Sequence, residues 1–197
     1  IEGFRPGVME RLGLSPAAVA ARCPKVVFGR VTGWGQSGPL AQAAGHDINY
    51  VSLTGVMSTA ARSGAAPMLP ATIVGDMGGG AMYLAFGVVC ALLEARRSGQ
   101  GQVVDAAMVD GVASLAALVQ QMRGTQYWSD TPPQNFFLGS APFYDTFECA
   151  DARHISLGAI EPAFYAELLQ RLGLDNVDPR DQHNRDAWPA LRQRVAT

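Results

Sequence analysis

An uncharged stretch spans residues 78–93, from within the turn Gly75-Asp76-Met77-Gly78-Gly79-Gly80 up to Glu94-Ala95-Arg96-Arg97. A bilayer span needs about 20 apolar residues, so the stretch reads as a helix of a folded domain's core and not as a membrane span. A helix that is apolar on every face must be covered on several sides. That requirement commits the chain to layers of structure packed around it. Asp76 is the natural N-cap of this helix, accepting from orphan backbone N–H groups, while Arg96 and Arg97 complement the dipole at its other end.

The flanking segments supply candidate layers. Residues 25–32, Lys-Val-Val-Phe-Gly-Arg-Val-Thr, are rich in β-branched side chains and predict a buried strand. Residues 102–107 predict a second strand and 109–123 a second long helix. Two short helices are expected earlier, at 6–12 and from Ser15 to Cys23, with Ser15 as N-cap and Pro16 at the first helical position. A further helix is expected at 47–53. Residues 58–70, dominated by Ala, Gly, Ser and Pro, predict a surface loop.

After Gly124 the character changes to an aromatic, proline-rich connection. Residues 143–148 and 154–157 then alternate like a hairpin, Glu161-Pro162 opens a helix that Gly173 ends, and Trp188 sits in an amphipathic helix. This order favours an α/β domain followed by a smaller α+β domain, divided as 1–124, a linker at 125–140, and 141–197.

The formal net charge of −2 advertises no nucleic-acid surface. The three cysteines, Cys23, Cys90 and Cys149, are widely spaced and odd in number, which argues for reduced thiols in a cytosol-like compartment. Cys90 lies in the apolar run and is expected to be a small buried hydrophobe. No cluster of His, Cys and acids has metal-ligand spacing, and no Gly-x-Ser-x-Gly elbow is present. The chain begins inside an apparent motif and stops inside an expected helix, so we read it as part of a longer protein.

Chemistry concentrates in two turns. Gly45-His46-Asp47 offers an imidazole, and Gly75-Asp76-Met77 offers a carboxylate beside three glycines. Two such groups on opposite faces of a substrate can take a proton from one side and return it to the other. Each also has a plainer explanation: His46 as a loop histidine bonded to its neighbours, Asp76 as a helix cap. Amides at the Asp76 helix start are candidates to hold an oxyanion. Glu161, at the next helix start, has the same ambiguity and is a candidate to tune the histidine. Gly33-Trp34-Gly35-Gln36-Ser37-Gly38 is a formal dinucleotide fingerprint, but Pro39 follows at once and no acid stands at the required distance. It reads instead as a loop whose glycines permit close approach to a ligand.

Several motifs in one order carry a resemblance: Glu2-Gly3-Phe4-Arg5-Pro6-Gly7 with Arg11-Leu12-Gly13-Leu14, Thr32-Gly33-Trp34-Gly35-Gln36-Ser37-Gly38-Pro39, Gly45-His46-Asp47-Ile48-Asn49-Tyr50, the Asp76 turn, Gly101-Gln102-Val103-Val104-Asp105 and Gly158-Ala159-Ile160-Glu161-Pro162. Together they resemble the alpha-methylacyl-CoA racemases of the family III CoA-transferase superfamily. One departure is Thr72, where close relatives often carry Asn.

The resemblance implies a Rossmann-like large domain with a smaller α+β domain, both partial here. It implies that His46 and Asp76 are the acid/base groups and that Glu161 pairs with His46. It assigns Gly3, Phe4, Arg5, Arg11, Gly45, Asp47, Ile48, Asn49 and Tyr50 to the CoA thioester. It also implies an interlocked homodimer, and a cytoplasmic location, or a peroxisomal or mitochondrial one in a eukaryote. The chemistry is inversion at the carbon next to the thioester through an enolate held at the Asp76 helix start. It needs no metal or redox cofactor, coenzyme A being part of the substrate. Alternatives are a family III CoA-transferase in which Asp76 is the nucleophile, and an inactive piece that only binds acyl-CoA or dimerises. His46 favours the racemase, since the transferases generally carry an aromatic residue there.

Overall fold

The computed structural model describes residues 1–60, 65–125, 128–129 and 135–197. Parts of the expected loop at 58–70 and of the expected linker at 125–140 lie outside the described residues. Two compact units are present, Ile1–Ser58 with Met68–Leu118, and Thr59–Pro67 with Val119–Thr197.

In the first unit, α1 (Val8–Arg11) and α2 (Pro16–Arg22) precede the sheet. Ser15 caps α2 as its position in the sequence suggests, Oγ accepting the Ala18 amide at 3.1 Å. Strand β1 (Phe28–Thr32) pairs in parallel with β2 (Val103–Ala107), Phe28 opposite Val103 and Thr32 opposite Ala107. Glu2 extends the hydrogen bonding on the other edge of β1, donating to Gly29 O at 2.9 Å and accepting from Val31 N at 3.1 Å. The same residue anchors a buried charge, Arg30 Nε lying 2.6 Å from the Glu2 carboxylate while Arg30 Nη1 reaches Glu10 at 3.0 Å. A buried guanidinium is tolerated because both partners are in place.

Parallel strands require a long crossover. Here it consists of α3 (Asp47–Leu53), a π-helical segment (Ile73–Met82) and α4 (Tyr83–Ser98). After β2 come α5 (Met108–Leu115) and α6 (Ala117–Arg123), so the single helix expected at 109–123 breaks at Ala116. The π-helical segment and α5 lie backbone to backbone. A Cβ on Gly111 would stand 2.0 Å from Gly79 O, and one on Gly79 would stand 2.8 Å from Met108 O. Only glycine permits this approach.

The helix at Asp76 departs from expectation. Its N-cap is Thr72, and Asp76 sits within the first turn. The start of this helix is held by a tertiary acceptor: the Gly75 and Asp76 amides both donate to Asp47 Oδ2, at 2.6 and 2.9 Å. The turn is also wide, Met77 N donating to Thr72 O at 3.0 Å, and π-type turns of this kind recur at functional sites.

Thr72 has φ 57° and ψ 0°, the left-handed region that a β-branched residue enters only under strain. Asn tolerates that region. Thr72→Asn is therefore expected to stabilise the protein by about 1 kcal/mol, read as a higher denaturation midpoint at unchanged slope. A lower midpoint would show that the threonine is held there by favourable contacts.

By length and composition the 26-residue stretch Ile73–Ser98 suffices to cross a membrane, a test that core helices of soluble domains also pass. Its α4 half buries Leu84, Ala91 and Ala95, and Gly87 packs so closely that a Cβ there would meet Val104 at 2.7 Å. Met82, Phe86, Val89 and Leu93 are exposed on this chain, Phe86 at 74%. Cys90 is exposed too, contrary to expectation, because the buried stripe runs along a different face of the helix.

The second unit is α+β. Strands β3 (Tyr144–Glu148) and β4 (His154–Gly158) form the expected antiparallel hairpin, Tyr144 opposite Gly158. Helices α7 (Pro162–Arg171) and α8 (Trp188–Val195) pack on a core of Ala141, Phe143, Tyr165, Leu169, Leu174, Trp188 and Leu191. The Asp145 carboxylate is buried against Arg192.

Candidate active site

A cleft of about 300 Å³ in the first unit is walled by Gly3, Phe4 and Arg5 on one side and by Trp34, Ala43, Gly45, His46 and Tyr50 on the other. Two hydrogen bonds tie the walls together: Arg5 Nη1 donates to Gln42 O at 3.2 Å, and Gln42 Nε2 donates to Pro6 O at 3.1 Å. The glycine-studded loop after β1 thus lines a cavity, and Trp34 is a member that the sequence does not single out. Its one available signal is a large aromatic between two glycines.

Trp34 and Tyr50 meet edge to face, with centroids 4.7 Å apart. Tyr50 OH donates to Gly45 O at 2.5 Å, and a Cβ on Gly45 would strike Trp34 and Tyr50 at 2.8 Å. The chain is therefore pinned immediately before His46. The His46 amide donates to Asn49 Oδ1 at 3.0 Å, one half of a capping box at the start of α3. His46 is the N-cap of α3, with its ring exposed toward the cleft and its backbone fixed by Asn49.

Asp47, next in sequence, faces the other way. Its side chain is buried, 8% exposed, and its carboxylate accepts the two amides of the Asp76 turn. Asp76 itself does not line the cleft, yet it lies within electrostatic reach of His46, Asp47 and Tyr50. Burial pushes its carboxyl above the usual carboxylate range; the Asp47 charge adds to this and His46 opposes it. Burial likewise raises the Tyr50 phenol, with the Asp76 charge second.

Of the residues assigned to the CoA thioester, Gly3, Phe4, Arg5, Gly45 and Tyr50 share the cleft with His46, whereas Arg11, Asp47, Ile48 and Asn49 are not among its lining. Of the amides around the Asp76 turn, those of Gly75 and Asp76 bond Asp47 and that of Met77 bonds Thr72 O, so these three do not point a free N–H at an oxyanion. Among the described residues the Trp34 indole N–H is buried without an acceptor.

Glu161 lies in the second unit, exposed at the N-cap of α7. Its turn is held by Gln182, whose Nε2 donates to Ala159 O at 3.2 Å and to Ile160 O at 2.8 Å. A larger cavity of about 460 Å³ in that unit is lined by Phe137, Tyr144, Asp145 and Leu157 among others. Among the described residues that line it the Asp145 carboxylate is committed to Arg192 and there is no histidine, so the smaller cleft beside His46 is the better candidate.

The sequence matches CoA-transferase family III over residues 1–197. It is 42% identical over 196 residues to alpha-methylacyl-CoA racemase of Mus musculus, covering 100% of this chain and 51% of that protein. It is 31% identical over 193 residues to acetyl-CoA:oxalate CoA-transferase of Acetobacter aceti, covering 94% and 48%. Among solved structures, a CAIB/BAIF family protein from Brucella suis shares the fold with a TM-score of 0.74 at 22% identity, over 100% of this chain and 53% of that one. The chain spans about half the length of the curated relatives it matches.

Proposed function

Since the chain belongs to CoA-transferase family III, we propose that it carries the acid/base pair of an enzyme that inverts the α-carbon of 2-methylacyl-CoA thioesters. The observation that carries this reading is the pairing of an exposed imidazole at a cleft with a neighbouring carboxyl held above its usual range. Neutral His46 takes the α-proton from one face, and protonated Asp76 returns one to the other. Burial and the Asp47 charge favour that protonated form. The reverse direction exchanges the two roles. Arg5 and Phe4 at the cleft mouth suit the polar and flat parts of a CoA thioester. The enolate oxygen takes its donor from groups other than the Gly75, Asp76 and Met77 amides. In the assembled protein two copies interlock, which accords with the apolar residues left exposed along α4.

The test is incubation of the intact protein with a single-enantiomer 2-methylacyl-CoA in deuterium oxide. Deuterium at the α-carbon with loss of optical purity is expected. CoA transfer to a free carboxylic acid, without α-exchange, would replace this reading by the transferase one, with Asp76 as the nucleophile. The similarity to an oxalate CoA-transferase keeps that second reading in view.

A further inference from the structure

Asp47 has a buried carboxylate that neither takes nor gives a proton in the scheme above. Three observations bear on it. It follows His46 directly, so its backbone is fixed by the same capping turn. Its Oδ2 accepts the amides of Gly75 and Asp76 at 2.6 and 2.9 Å, across 28 and 29 positions of sequence. The fit is close, because a Cβ on Gly75 would stand 2.7 Å from that oxygen.

We propose that Asp47 is a positioning residue which clamps the turn bearing Asp76 to the helix that begins at His46, and so sets the separation of the two acid/base groups. This deepens the racemase reading and rests on it. Charge-assisted bonds from two adjacent amides to one carboxylate oxygen are strong and directional. With the clamp in place, the two ends of the proton-transfer axis move as one body. The clamp also puts a negative charge beside Asp76, in line with the elevated carboxyl there. The charged or titratable groups acting on Asp76 are Asp47, in α3, and His46, its N-cap, while Asp76 in turn acts on Tyr50 of α3. The α5 side chains nearest the glycines of that π-helical segment, Met108, Val112 and Leu115, are all uncharged.

Two variants of the intact protein test this. Asp47→Ala removes the clamp and is expected to lower kcat about 100-fold, the cost of roughly 1 Å of misplacement, with KM for the CoA thioester within about twofold. Asp47→Asn keeps an acceptor but loses the charge. It is expected to retain most of kcat while moving the limb of the pH–rate profile governed by Asp76 to lower pH. A raised KM at unchanged kcat in either variant would make Asp47 a substrate-binding residue and overturn the clamp. Wild-type kcat and pH profile in both would overturn it as well. Should Asp47→Ala fail to fold, the limb shift in Asp47→Asn decides. Should the wild type transfer CoA and not exchange α-protons, the racemase reading fails alone. The clamp is then judged by the same kcat-against-KM split on the transfer reaction.

Discussion

Replacing His46 with alanine in the intact protein is expected to abolish epimerisation, lowering kcat by at least about 100-fold, the usual worth of a positioned acid/base group. His46 is the histidine that lines the cleft, and the backbone on both sides of it is fixed without the imidazole: Tyr50 bonds Gly45 O and Asn49 bonds the His46 amide. The variant should therefore fold normally, and an unchanged thermal midpoint would verify that. Asp76 remains in place, so α-proton exchange from one enantiomer is expected to survive while inversion does not. Chiral analysis and deuterium content, measured together, separate the two outcomes. Inversion at the wild-type rate would remove His46 from the mechanism.

The second large effect is structural. Gly111→Ala is expected to destabilise the protein by about 3 kcal/mol, the upper part of the range for overpacked cores. The added methyl would lie 2.0 Å from Gly79 O and 2.6 Å from Gly79 C, which are backbone atoms that cannot rotate aside. Relief requires moving α5 away from the π-helical segment that carries Asp76, so kcat should fall with stability. A fair comparison is Gly158→Ala, where a Cβ meets nothing within 4 Å and the change should stay within about 0.5 kcal/mol. Denaturation midpoints of both variants provide the measurement, and a Gly111→Ala protein as stable as wild type would contradict the close approach.

What the sequence discloses, and what it conceals, follows the range of the interactions involved. The bounds of α3 are readable because its signals are local: Asn49 reaches back three residues to cap it, and Gly55 turns the chain just beyond its end. The Ser15-Pro16 cap, the β3–β4 hairpin and the α7 stop at Gly173, where φ is 65°, are local in the same sense. The start of the helix at Asp76 is not. The acceptor that satisfies its amides is Asp47, 28 to 29 positions away, and no short-range pattern announces it. Nor does a π-turn have a sequence period of its own to detect. For the apolar helix, uniform hydrophobicity hid which stripe is buried, so Cys90 was placed on the wrong side. His46 and Asp76 stand out in the sequence as candidates through residue type and turn context. Asp47 was legible only as a neighbour of His46, since its function depends on where its carboxylate points.

The clamp has a consequence for how such a chain can change over time. One carboxylate, and not the length of the intervening chain, sets the spacing between His46 and Asp76. The chain between α3 and Thr72 connects two points already held together at that carboxylate, and lengthening such a connection is inexpensive, about 0.6 kcal/mol for each doubling. Insertions and deletions there should leave the reacting geometry intact while redrawing whatever that segment presents. Lineages can then vary the segment freely, while the residues at its two ends hold the chemistry constant.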